Sequence, residues 1–146
     1  MSAGVDVAIL TALRANTNLV ALLGTQDSGL PAIFNAHKLE TPPIYDQVTF
    51  RESVRDPKNF FAPTWNEDDE YYDLEAWTNK RGSGIIANIL REVDRSINKR
   101  ILAMPDPSTQ KMRYIRRIPG GSPTLPDTTL QVWFGMCRYR ASVQSV

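Results

Sequence analysis

The sequence predicts an α+β domain, in which one long helix and short N-terminal helices pack on a mostly antiparallel sheet, with a long projecting loop or hairpin arm. Three observations predict it. Residues 85–102 carry apolar side chains at helical spacing, residues 71–78 and 111–117 alternate as strands do, and residues 129–142 are apolar on both faces of a strand. A length of 146 residues suits one hydrophobic core, so we expect a single domain over 1–146.

The N-terminal third reads as helix followed by short extended pieces. Apolar residues recur at helical spacing over 5–13, and the polar stretch 16–18 breaks this first helix. A second helical turn follows, with Gly24 as its expected C-cap. A short strand is predicted at 32–35, and a proline pair leads into an extended stretch over 44–50.

The segment from Glu52 to Asp69 fits neither a helical nor a strand period. Loops of this length are uncommon in compact domains and usually have a function, and its large aromatic residues are not typical of disordered chain. We therefore predict a projecting arm or long hairpin loop that a partner orders; the alternative is a loop folded back over the domain's own core. The side chains expected to dock a partner are Phe60, Phe61, Trp65, Glu67, Asp68 and Asp69.

The predicted long helix has one apolar stripe and one charged side, and prolines end it after Met104. Before it, the alternation of residues 71–78 places Tyr72, Leu74 and Ala76 on one face of a strand. After it, the same rule groups Met112, Tyr114 and Arg116 on one face, with Lys111, Arg113, Ile115 and Arg117 on the other. The apolar stripe of the helix consists of Ile85, Ile86, Ile89, Leu90, Val93, Ile97, Ile101 and Leu102.

The last predicted strand needs cover on two sides. A strand with one wet face alternates between apolar and polar residues, whereas both faces are apolar here. Either the N-terminal helix or another copy of the chain supplies the second layer. We predict a subunit interface at Trp133, Cys137, Tyr139 and Arg138; the opposite face consists of Leu130, Val132, Phe134 and Met136.

The sequence does not point to catalysis or to a cofactor. It has one histidine, His37, and one cysteine, Cys137, so neither a zinc cluster nor an internal disulfide is expected. A buried cysteine is a small hydrophobic residue rather than a nucleophile. The acidic run at 67–70 has no glycine for a calcium loop, and Gly82-Ser83-Gly84 is not a complete phosphate-binding motif. We therefore expect a protein that is not an enzyme and holds no cofactor or metal.

Charge and hydropathy narrow the range of partners. The net charge of +1 lacks the basic excess of a typical nucleic-acid-binding protein, and no apolar run is long enough for a signal or a membrane span. One strand is nevertheless basic and carries an aromatic residue, which is typical of surfaces that bind single-stranded nucleic acid. The same residues are also suited to a salt-bridged interface or to the lining of a channel: Lys111, Arg113, Arg116 and Arg117.

Five segments, in order, resemble the tail terminator (tail completion) proteins of long-tailed bacteriophages: VAILTALRANTNLVALLG, the short IF strand, PPIYDQVTF, EYYDLEAWT and LQVWFGMCRYRAS. The family pattern is a helix followed by Leu-Leu-Gly, a proline-rich strand, a strand that ends in Trp-Ser or Trp-Thr before the long helix, and a last strand that ends in Arg or Tyr. The segment from Glu52 to Asp69 departs from it by being longer and more aromatic. The matching residues are Leu22, Leu23, Gly24, Pro42, Pro43, Tyr45, Trp77, Thr78, Arg138 and Tyr139.

The resemblance implies a structural virion protein, assembled in the host cytoplasm, that forms a closed ring, typically a hexamer, on the end of the tail tube. Such a ring ends tail polymerisation and provides the surface to which the filled head attaches. Its partners are further copies of the chain, the tail tube protein, a head-completion or neck protein, and a sheath protein if the tail contracts. DNA passing through the channel would be contacted without sequence specificity. The alternatives are a head-completion or neck adaptor ring and, in another class, a nucleic-acid-binding module that uses the strand 111–117.

Overall fold

In the part of the chain that the structure describes, five strands form one sheet in the order β1-β2-β3-β5-β4, and three helices accompany it. The computed structural model describes residues 3–35, 44–57, 67–81, 83–127 and 131–145. Only β1 and β2 pair in parallel, and the other three pairs are antiparallel, which confirms the predicted α+β class. The elements are α1 (Ala3–Ala15), α2 (Thr17–Leu22), β1 (Ile33–Asn35), β2 (Gln47–Pro57), β3 (Glu67–Thr78), α3 (Ser83–Ile97), β4 (Gln110–Asp127) and β5 (Val132–Ser145).

One hydrophobic core lies between the helices and one face of the sheet, which we call the inner face. The predicted β3 face of Tyr72, Leu74 and Ala76 is fully buried there, so this prediction is confirmed. Alternate residues of β5 join the same cluster, as do α1 and α3. The contributions of the two helices are Val5, Ala8, Ile9 and Leu13, and Ile86, Ile89, Val93 and Ile97.

Helix α3 is shorter than the apolar stripe predicted. It has 15 residues and ends at Ile97, so its length is about 22 Å at 1.5 Å per residue. Beyond it, Lys99 adopts a positive φ of 58°, and the Arg100 Nε–H donates to the carbonyl oxygen of Arg95 at 2.9 Å. The chain leaves the helical path at this point, and Ile101 is 73% exposed instead of continuing the buried stripe.

A β-bulge in β4 changes which side chains share a face. The pairing of β4 with β5 shifts between Met112 and Tyr114, so that Met112 and Ile115 both enter the core. Tyr114 pairs with Ser142 and points to the opposite, outer face of the sheet. The predicted grouping of Met112 with Tyr114 and Arg116 is therefore wrong, because strict alternation does not survive an inserted residue.

The junction of α1 and α2 follows the predicted break. Asn16 is the N-cap of α2, and its Oδ1 accepts from the backbone N–H groups of Asn18 and Leu19 at 3.0 and 3.1 Å. Gly24 is not the C-cap, because Leu23 caps α2 in an extended conformation. A Cβ at Gly24 would collide with the carbonyl oxygen of Tyr45, so close backbone approach requires the glycine here.

Much of the predicted arm is ordinary sheet. Strand β2 continues to Pro57 and β3 begins at Glu67, and the two pair in antiparallel register out to Pro57 and Asp68. Interpreting 52–57 and 67–69 as irregular chain was therefore wrong, because main-chain pairing overrides their weak strand pattern. Phe60, Phe61 and Trp65 lie outside the described residues.

Candidate interaction surfaces

The acidic run does not form one surface patch, because it lies in β3, where side chains alternate between faces. Asp69 pairs with Ser142 on the outer face and is 1% exposed, while the next residue, Glu70, pairs with Ala141 on the inner face and is also 1% exposed. Burial of Asp69 does not fit its predicted role in docking a partner. Glu67 and Asp68 are the first two residues of β3.

The outer face of the sheet carries an aromatic pair at one end. The rings of Trp77 and Phe134, which pair across β3 and β5, stack with their centroids 5.1 Å apart. The indole N–H of Trp77 donates to the hydroxyl of Thr49 at 3.0 Å, so the polar edge of this large ring is satisfied within the chain. Trp77 is 7% exposed, and Phe134 is half-buried.

An ion pair occupies the middle of the outer face. Arg138 of β5 pairs with Asp73 of β3, and its Nε and Nη2 donate to the two carboxylate oxygens at 2.7 and 3.4 Å. The hydrogen bond and the charge of Asp73 raise the pKa of the Arg138 guanidinium. The Asp73 side chain is 4% exposed and that of Arg138 is 37% exposed, so the arginine closes over the carboxylate and still reaches solvent.

A basic, aromatic cluster follows toward the β4 edge. The guanidinium groups of Arg116 and Arg140 lie 5.0 and 5.7 Å from the ring centre of Tyr114, and Arg140 Nη2 also donates to the Tyr114 hydroxyl at 3.1 Å. Of the predicted basic residues, Lys111, Arg113, Arg116 and Arg117 are all exposed. They do not share one face, since Arg116 lies opposite Arg140 and Arg117 lies opposite Tyr139.

Cys137 and Tyr139 are covered within the single chain. They are 2% and 0% exposed, and the Tyr139 hydroxyl donates to Asp94 Oδ1 of α3 at 2.8 Å. Burial raises the pKa of the Cys137 thiol, which is typical of a structural cysteine. Helix α3 packs on this inner face of β5. A second layer on the outer face, from the N-terminal helix or another copy of the chain, stays a prediction. The burial of these two residues does not fit their predicted role at a subunit interface; Trp133 is only partly buried against the core.

A cleft of ≈ 830 Å³ opens on the helical side, between α1, the start of α2, the C-terminal end of α3 and residues 100–103. Its polar floor is tied together by Asn16, whose Nδ2 donates to the Glu92 carbonyl oxygen at 3.1 Å and to the Ser96 hydroxyl at 2.9 Å. A second cleft of ≈ 330 Å³ continues from it and shares Asn18, Glu92 and Arg95. This cleft was not predicted from the sequence. Its only signal in the sequence is Ile101, an apolar residue that lies beyond the end of α3.

The cleft combines one buried carboxylate with exposed cations. Glu92 is 6% exposed; its Oε1 accepts from Arg95 Nη1 at 2.9 Å, and its Oε2 is buried without a hydrogen-bond partner. The exposed basic residues Arg95, Lys99 and Arg100 line the same cleft. The arrangement places positive charge around the cleft, which suits a segment with an acidic side chain.

Within the described ranges, no group of three or more His, Cys, Asp or Glu side chains could hold a metal ion. Over the same residues, no helix is both long enough and apolar enough to cross a membrane. His37 lies outside the described residues.

Neither a scan of protein-family models nor a search of curated proteins gives a match. A search of solved structures finds a chain in the virion of the native gene transfer agent (GTA) particle, with a TM-score of 0.72 and 14% sequence identity. The match covers 98% of this chain and 96% of that chain. At this identity the likeness shows a common fold, and it extends over both chains almost from end to end.

Proposed function

We propose that this chain is a structural, non-enzymatic protein of a phage-like virion. The observation that carries the proposal is the end-to-end likeness to a chain of the gene transfer agent virion. The sequence resemblance to tail terminators supports it independently, because that resemblance uses residue motifs and the structural match uses backbone geometry. The two clefts are open to solvent and lie on the side of the sheet that carries the helices. Among the described residues, no group of three or more His, Cys, Asp or Glu side chains that could hold a metal ion lies in them.

More specifically, the chain closes the end of a tail tube as a ring, typically of six copies, at the head–tail junction. There it ends tube polymerisation and provides the surface for head attachment. The arm residues Phe60, Phe61 and Trp65, with Glu67 and Asp68 at its base, dock the tube or a neighbouring copy. Trp133 and Arg138 contribute to contacts between subunits. The β4 edge of the sheet borders the channel, where its exposed cations, which lie on both faces of the strand, meet DNA phosphates: Lys111, Arg113, Arg116 and Arg117.

The mass of the purified protein in solution, measured by light scattering with and without isolated tail tubes, tests this function. A closed ring of about six copies, formed alone or only on tubes, is the expected result. A monomer that ignores tubes would refute the tail role. Binding to portal-bearing heads in place of tubes would instead support the closest alternative, a head-completion or neck adaptor ring.

The arm has its own test. The double substitution Phe61→Ala and Trp65→Ala removes two large aromatic side chains of the kind that contribute most of the binding energy at protein interfaces. We expect an unchanged circular dichroism spectrum and loss of attachment to tails. Tails of normal length assembled with this variant would show that the arm is not the docking element.

A nucleic-acid-binding module is the second candidate function, because Tyr114 lies between Arg116 and Arg140 and all four predicted cations of β4 are exposed. Binding of the isolated monomer to single-stranded DNA, falling steeply as salt rises, would favour this function. A ring without such affinity would count against it.

A further inference from the structure

The chain presents two complementary features at different places on its surface, a knob and the larger cleft described above. The knob is the loop 25–30 between α2 and β1. We propose that, in the ring inferred above, the knob of one copy docks in the cleft of the next copy. This inference rests on the proposed ring function and names the contact that would close it.

The knob is a rigid loop with an exposed apolar side chain. The Gln26 N–H donates to the Leu30 carbonyl oxygen at 2.8 Å, and the Gly29 N–H donates to the Gln26 carbonyl oxygen at 2.9 Å. The Gln26 side chain also donates to the Pro31 carbonyl oxygen at 2.8 Å. A loop fixed in this way loses little entropy on docking. Leu30 is 43% exposed on it, and Asp27 is exposed beside it.

The cleft offers the matching groups. Ile101, which is 73% exposed, lines it and is an apolar counterpart for Leu30. Lys99 and Arg100 lie beside Ile101 and complement the charge of Asp27.

The positions of the two features suit a head-to-tail contact. The knob is anchored by the bridge between Thr25 and Pro31, directly before β1 at one edge of the sheet. The cleft is bounded by residues 99–103, where Arg100 bridges to Ile115 of β4, at the other edge. A contact between two different surfaces of identical chains is heterologous, and it closes into a ring when the rotation between copies permits.

Charge reversal provides the test. In the proposed contact, Asp27→Lys faces Lys99 of the next copy, and Lys99→Glu faces Asp27 of the next copy. Each variant on its own therefore brings two like charges together. We expect each to raise the protein concentration needed for half-maximal ring formation at least about tenfold, because like charges in a contact cost more than 1.4 kcal/mol. Light scattering across a dilution series measures it. The matched control is Arg81→Glu, which reverses an exposed cation outside both clefts.

Two rescues make the result specific. The chain with both reversals restores the pair, and it should form rings at a lower protein concentration than either single variant; the rescue is partial, because Arg100 keeps its positive charge beside position 99. An equimolar mixture of the two single variants should also form rings, because knobs and clefts then match when the variants alternate around an even number of copies.

The outcomes separate this contact from the proposed function. A wild-type ring that both single reversals leave intact would overturn the contact while the ring function stands. Loss of assembly in the singles without rescue in the double variant and the mixture would overturn it too. A wild-type chain that stays monomeric with and without tubes would refute the ring function, and the contact with it.

Discussion

The ion pair between Asp73 and Arg138 is expected to stabilise the chain itself. We predict that Arg138→Met lowers the free energy of unfolding, because methionine keeps the aliphatic volume and removes both donors. Asp73 then keeps a buried carboxylate, whose side chain is 4% exposed, without its two hydrogen bonds from Arg138. Arg51 lies directly opposite Asp73 on β2 and offsets part of the loss.

The magnitude follows from the geometry. Hydrogen bonds to charged groups contribute about 1.5–3 kcal/mol, and removing one partner of a fully buried pair costs about 3–5 kcal/mol. Arg138 is 37% exposed, so solvent screens the pair, and we expect a loss of about 2–3 kcal/mol for Arg138→Met. For a chain of 146 residues this corresponds to a fall in Tm of about 4–12 °C.

Urea denaturation of four proteins measures the coupling: the wild type, Arg138→Met, Asp73→Asn and the double variant. We expect a coupling energy of about 1–2 kcal/mol between the two positions. A coupling below about 0.3 kcal/mol, within the additivity expected of independent sites, would refute the reasoning. Arg138 would then be free to act mainly at a subunit contact, as the sequence suggested.

Three further changes test the fold. Asn16→Ala removes the cap of α2 and two hydrogen bonds to α3, and should lower the free energy of unfolding, measured by urea denaturation, by about 1–3 kcal/mol. The control Asn18→Ala, at an exposed neighbouring position, should change it by less than about 0.5 kcal/mol. Gly24→Ala forces a Cβ against the Tyr45 carbonyl oxygen and should lower stability by about 1–3 kcal/mol; an unchanged Tm would show that the backbone yields there. Burial raises the pKa of Glu75 above 4.5. The ionised carboxylate therefore destabilises the fold at pH values above the raised pKa, and this destabilisation disappears as the pH falls below about 4.5. Glu75→Gln should therefore stabilise the protein at pH 7 and make no difference near pH 4, and equal stability of the two proteins at both pH values would contradict this.

The elements with the strongest period were the ones that sequence reasoning predicted well. The alternation of Tyr72, Leu74 and Ala76 placed β3 correctly, because a strand that packs on a core repeats every two residues. The stripe from Ile86 to Ile97 placed the inner face of α3 for the same kind of reason. These patterns were sufficient to predict the fold class.

The errors occurred where a single local event changes the period. One inserted residue in β4 moved Tyr114 to the face opposite Met112, and alternation alone cannot reveal such an insertion. The left-handed conformation of Lys99 ended the helical path, although Ile101 still fitted the stripe. Main-chain pairing turned the acidic run into strand, and no side-chain pattern marks that pairing.

The two faces of the last strand differ in what packs against them within the chain. Its inner face is covered by α3, and on the outer face Trp77, Phe134 and Arg138 already have partners in the same chain. Among the described residues, the large apolar side chains that remain exposed are on the helices and their connections: Val7, Leu22, Leu30 and Ile101. Exposed apolar side chains are where association buries the most new surface. If copies associate as proposed, Ile101 and Leu30 on the helical side are therefore the first apolar side chains to substitute, alongside Trp133 and Arg138 of the last strand.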